Sequence, residues 1–312
     1  MGAQTFHTLI ARNKRNTWLL LGVFMFLFVA LGVVIGYVWG SGDVRFSVSV
    51  AVAAALIAFL LMLGSYYGGG SILLGLSKAR EIAKGDDPQL FNVVEELCLA
   101  GGLPMPRIFL IDDTAMNAFA AGRDPRHACV AITTGLRDRL TRDELQGVIG
   151  HELSHVRHYD ILFATLIAVM VGVLVMLCDI FLRSLRWGAP GRRARTRERQ
   201  VGGGVMAIVI LVALVLAIIS PILARIIQMA ISRQREYLAD AGSVELTRNP
   251  HGLASALAKL SGDEEVLEVA NRATAPLYIV HPIKKFEERS SSIFDTHPPI
   301  PDRIARLASL GI

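Results

Sequence analysis

The sequence predicts an α+β protein held in a membrane by integral helices, and three observations carry that expectation. Apolar residues fill 53% of the 312 positions and the mean hydropathy is +0.47, whereas a soluble domain is about 45–50% apolar even with glycine counted. The excess is gathered into four blocks rather than spread along the chain. Outside the blocks, short runs rich in Ile, Val, Phe and Ala alternate with helical periodicity, the pattern of a polar α+β domain.

Crossing roughly 30 Å of hydrocarbon takes about 20 helical residues. The first block, 17 to 40, and the second, 47 to 67, are joined only by SGDVRF and so predict a hairpin with both ends on one side. The first run is too long for a signal core and lacks a small-residue cleavage site, so it reads as a retained anchor. Arg12, Lys14 and Arg15 precede the hairpin and Lys78, Arg80 and Lys84 follow it, against Arg45 alone in the turn. The positive-inside rule puts both ends, and the polar region 78 to 160, in the cytoplasm.

The third and fourth blocks, 161 to 182 and 205 to 231, predict a second hairpin, for four membrane helices in all. The loop between them, RSLRWGAPGRRARTRERQ, sets seven arginines against Glu198. If both blocks cross, that loop is exported against the rule that orients the first pair. Asp179, Pro221 and Arg225 inside these blocks also favour helices that face protein or enter the membrane only in part. The chain thus divides into a membrane hairpin at 1–77, the first half of a polar domain at 78–160, a second membrane-associated hairpin at 161–231 and the second half at 232–312.

Within the polar domain, DPQLFNVVEELCLAGGL predicts an amphipathic helix stopped by glycine. RIFLIDD, MNAFAAG and HACVAITTGL predict short strands. Thr141 and Glu144 offer a capping box for a helix that runs on through LQGVIGHELSHVRH. Further helices are expected around 232 to 247 and 251 to 261, and a last short one after the prolines of DTHPPIPDRIARLASL. The glycines at 68 to 70 read as the close of the second membrane helix; no GK[ST] follows to make them a phosphate loop.

Composition excludes several classes of function. Cys98, Cys129 and Cys178 are scattered, outside any ligand-spaced cluster, and suit a reducing compartment. The arginine loop has no interleaved aromatics beyond Trp187, so anionic lipid headgroups are its expected partners and nucleic acid is not.

HELSH, residues 151 to 155, carries the chemistry. Positions i and i+4 share a helix face, so His151 and His155 can present imidazole nitrogens to one metal ion. Glu152 stands beside the first of them, where a carboxylate can reach an attacking water instead of the ion. A catalytic zinc needs a third protein ligand. Glu236 and Asp240, again four apart in SRQREYLADAGS, could supply one ligand and one carboxylate to orient a histidine, although beside Arg233 and Arg235 they could equally form a solvated charged face. His158 and Asp160 extend the motif without completing HExxHxxGxxH, which rules out a third histidine of that type.

HELSH, REYLAD, the NAFA strand and the C-terminal HPP together resemble the HtpX-type membrane zinc metalloproteases, relatives of the CAAX prenyl proteases, from about residue 78 to the end. The resemblance implies a zincin-like catalytic domain, which the basic flanks of the first hairpin put on the cytoplasmic side of a cell membrane. It implies one zinc ion per chain on His151, His155 and Glu236, with Glu152 as general base and Asp240 supporting the ligands. It also implies that Asn117 and Ala118 bind an extended substrate backbone by β-augmentation, and that His297 and Arg303 lie near the active site, where either could stabilise an oxyanion. The expected function is hydrolysis of peptide bonds in protein or peptide substrates, misfolded or damaged membrane proteins above all. A CAAX-type processing enzyme, or a noncatalytic membrane adaptor or transporter retaining a metal site, stands as the alternative.

Overall fold

The computed structural model describes residues 6–40, 42–170, 233–263, 265, 267, 278–279 and 298–310. The chain divides into two compact units, one of Met1–Trp18, Gly64–Val169 and Gln228–Ile312, the other of Leu19–Leu63 and Met170–Ile227.

The first two apolar blocks lie in α1 (Phe6–Trp39) and α2 (Val44–Leu76). Among the described residues, α2 is the helix long and apolar enough to cross a membrane by length and composition. Within the smaller unit, glycines let the two helices approach closely. A Cβ added at Gly32 would lie 2.7 Å from Ala54 Cβ, and one at Gly36 would lie 2.6 Å from Ser47 Cα. The Ser47 hydroxyl donates to the Val33 carbonyl at 2.8 Å.

Gly68 to Gly70 do not end α2, contrary to the expectation from sequence: the helix continues to Leu76. Each glycine costs a helix about 1 kcal/mol relative to alanine. Burial of Leu73 and Leu74 against the sheet, each Leu worth about 1.5–3 kcal/mol, offsets that cost.

The larger unit is built on a four-stranded sheet in the order β1-β2-β4-β3. Its strands are β1 (Arg80–Glu81), β2 (Arg107–Ile111), β3 (Ala118–Gly122) and β4 (Ala128–Thr133). β2 and β4 pair in parallel, whereas β1 and β3 lie antiparallel at the two edges. Side chains alternate between two apolar layers, as the pleat requires. Ile108, Ala118, Ala120, Val130 and Ile132 enter one layer, and Phe109, Ile111, Phe119 and Ala131 enter the other. With both faces covered, the strands read as continuous apolar runs, which is why the sequence exposes them so clearly.

The helices covering the first layer are those the sequence predicts, except for a helix over Thr134–Arg139, whose first residues the sequence reads as the end of a strand. α3 (Pro88–Gly101) starts at an Asp87 cap and stops at Gly102, whose φ of 61° suits glycine. A short α4 (Thr134–Arg139) follows β4, and α5 (Arg142–Arg157) opens with the Thr141–Glu144 capping box. α6 begins at Asp160 and is described to Met170. The remainder of the third block, the arginine loop, Cys178 and the fourth block lie outside the described residues. α7 (Arg233–Thr247), α8 (Pro250–Gly262) and α9 (Ile300–Ser309) follow among the described residues.

Candidate active site

The site forms where α7 lies against α5. Small residues set that approach: Ser243 of α7 donates to the Gly147 carbonyl at 2.7 Å, Gly242 faces Ser154, and a Cβ on Gly150 would lie 2.9 Å from Ser243 Oγ. The polar face of α7 is thereby turned onto the histidines of α5.

His151 and His155 bring their Nε2 atoms within 3.2 Å of each other. Glu236 reaches both, with one oxygen 3.6 Å from His151 Nε2 and the other 3.6 Å from His155 Nε2. Ligands about 2.1 Å from a tetrahedral ion sit about 3.4 Å apart, so this triangle of donors fits one metal ion. The electrostatics agree. Burial opposes a charge on His151, yet Asp240 and Glu236 outweigh it and push the imidazole up to about 9. The carboxylates therefore favour a cation at this point.

The far side of each imidazole is also held. His151 Nδ1 lies 2.9 Å from an Asp240 oxygen. Arg303, fully buried in α9, grips that carboxylate with two parallel bonds, Nε to Oδ2 at 2.9 Å and Nη2 to Oδ1 at 2.6 Å. Although burial alone would raise the Asp240 carboxyl, Arg303 and His151 hold it below the usual carboxylate range. Nη1 of Arg303 donates to the Ile279 carbonyl at 3.4 Å, so the guanidinium is committed to protein acceptors. On the second imidazole, His155 Nδ1 lies 3.1 Å from Asp160 Oδ2.

Glu152 is only 2% exposed. Burial pushes its carboxyl above the ordinary value, against the opposing pull of His151 and His155 and a hydrogen bond from the Ala120 amide. That bond ties the acid to β3, whose outer edge bears the amides of Ala118, Ala120 and Gly122. Asn117 is fixed at the start of this strand by Thr133, whose hydroxyl accepts from the Asn117 amide at 2.9 Å and whose amide donates to its carbonyl at 3.0 Å. The Ala118 carbonyl already accepts from the Ile279 amide at 3.0 Å. Tyr278, the residue before, is buried edge-on to Phe119.

The structure thus gathers His151, Glu152, His155, Glu236, Asp240 and Arg303 in one place, with Asn117 and Ala118 on the strand that touches Glu152. His297 lies outside the described residues. Sequence reasoning missed Asp160 as a partner of His155. Five residues along a continuous helix would put it on a different face, so periodicity carries no signal for it.

The model of peptidase family M48 matches residues 84–310. A relative titled Protease HtpX homolog, from Lactiplantibacillus plantarum, is 43% identical over 302 residues, covering 96% of this chain and 98% of its own length. Another with that title, from Dictyoglomus thermophilum, is 43% identical over 308 residues, covering 98% and 95%. The crystal structure of S. mikatae Ste24p aligns over 96% of this chain and 66% of its own, with 18% identity and a TM-score of 0.49.

Proposed function

This chain belongs to peptidase family M48, and from that premise we propose how its residues carry out the hydrolysis and on what. The family and the near full-length relatives make it a membrane metalloprotease. In our reading the metal is a single zinc ion held by His151, His155 and Glu236. The triangle of three donors beside a buried Glu152 is the observation that carries this. When bound, zinc supplies Lewis acidity to the scissile carbonyl and to the attacking water.

The chain's own residues do the rest. Glu152, whose carboxyl burial raises above its ordinary value, takes a proton from the attacking water and returns it to the leaving amine. The Asp240 carboxylate accepts a hydrogen bond from Nδ1–H of His151 and so presents Nε2 toward Glu236. Arg303 acts through Asp240: its committed donors suit holding that carboxylate better than meeting an oxyanion. His297 keeps the proposed place near the site that the family resemblance gives it. An extended substrate backbone pairs with β3 at Asn117 and Ala118, and to do so it displaces the Ile279 amide from the Ala118 carbonyl.

Misfolded or damaged membrane proteins are the proposed substrates, because a strand-edge site reads backbone and needs unfolded chain. The proposed arrangement has membrane hairpins at 1–77 and 161–231, with the catalytic halves 78–160 and 232–312 facing the cytoplasm, as the basic residues flanking the first hairpin favour.

The test compares cleavage of an unfolded membrane protein by the detergent-purified, zinc-loaded enzyme and its Glu152→Gln variant. The variant should lose at least about 100-fold in kcat while keeping its metal. Equal activity in both would sink the mechanism.

A further inference from the structure

We propose that Asp160 is the positioning residue of His155, and that Asn13, far away in sequence at the start of α1, holds Asp160 in place. The inference rests on His155 being a metal ligand and extends that reading outward from the site. A histidine that binds metal through Nε2 must carry its proton on Nδ1, and an acceptor there fixes both tautomer and ring plane. Asp160 Oδ2 lies 3.1 Å from His155 Nδ1 and is that acceptor.

The chain takes an unusual path to put it there. Five residues further along an unbroken helix, Asp160 would be rotated about 140° from His155. Instead α5 stops at Arg157, and Tyr159 adopts a φ of 60°, in the left-handed region where a bulky side chain is disfavoured. The chain turns back, and the carboxylate returns to the histidine.

Residues of the N-terminal helix grip this turn from outside. Asn13 Nδ2 donates to the His158 carbonyl at 3.1 Å and also to Asp160 Oδ1. The Lys14 ammonium lies 4.8 Å from the centre of the Tyr159 ring, within range of a cation–π attraction. Arg235 Nε, 3.5 Å from Asp160 Oδ1, adds positive charge to the buried carboxylate. Asn13 is only 3% exposed and Asp160 5%, so water competes little for these bonds. The first turns of α1, ahead of its apolar block, are thus part of the support of the metal site, in addition to carrying basic residues.

The test measures zinc affinity of the detergent-purified full chain by competition with a chromophoric chelator, for the parent and for His155→Ala, Asp160→Ala, Asp160→Asn and Asn13→Ala. Asp160→Ala should bind zinc about 10–100-fold more weakly. Asp160→Asn still offers an oxygen to Nδ1–H and should recover part of that loss. Asn13→Ala, one bond further out, should lose about 3–10-fold. With cobalt in place of zinc, the visible bands of Asp160→Ala should shift, which loss of fold stability alone does not produce. If Asp160→Ala does not fold, Asn13→Ala decides. Affinities within about twofold of the parent for the Asp160 and Asn13 variants, alongside lost binding in His155→Ala, overturn this proposal and leave the ligand assignment standing. Undiminished binding in His155→Ala overturns both.

Discussion

Buried charge dominates the site at the scale of single residues. His151, Asp240, Glu236 and Arg303 are each 5% exposed or less, and their charges are tolerable only because they meet one another. Arg303 is the vulnerable member, since it neutralises Asp240 through two bonds and stands 3.9 Å from Glu236. Arg303→Leu keeps an apolar stem but leaves Asp240 buried without its partner. It should destabilise the enzyme by about 3–5 kcal/mol, read from thermal unfolding in detergent. A shift in Tm no larger than that of a surface arginine variant would show that Asp240 finds other compensation.

Among the elements, α5 does most of the positioning, and its first turn is tied to α8. Glu144 closes the capping box and also accepts from Ser255 at 2.6 Å and Lys259 at 2.7 Å. Burial opposes its charge, but Lys259, Ser255 and the cap outweigh this and bring the carboxyl down to about 2. A depressed carboxylate contributes stability that is present above the unfolded value near 4.5 and is lost as pH falls through about 2. Glu144→Gln should therefore cost on the order of 2 kcal/mol at neutral pH, and the gap from the parent should close toward pH 2. Unfolding curves at pH 3 and pH 7 separated by the same amount would contradict that assignment. Further along α5, a Cβ on Gly147 would lie 2.5 Å from the Leu253 amide nitrogen, so glycine is needed there for α8 to pack.

For the whole molecule, the two halves of the proposed metal site come from α5 and α7, and the intervening residues include both apolar blocks of the proposed second hairpin. If both blocks cross, the halves return to the same face of the membrane and the arginine loop is exported. A single cysteine placed within 188–200, in a chain cleared of its other cysteines, should then react with an impermeant reagent from outside the cell. Reaction only from the cytoplasmic side would mean that these two blocks do not both cross.

The sequence by itself determined what local spacing can encode. The i, i+4 pairs His151/His155 and Glu236/Asp240, the capping box at Thr141 and the apolar runs of the strands are consequences of the helical and pleated periods, which hold wherever the chain goes. Tertiary structure decided what those periods do not contain. Joining α7 to α5 depends on glycines and serines whose use shows only at contact. α2 runs through three glycines because Leu73 and Leu74 find a sheet to cover. Asp160 reaches His155 only because the chain breaks its helix at Tyr159, and Asn13 reaches Asp160 across 147 positions. Such long-range hydrogen bonds have no period, and folding alone brings their partners together.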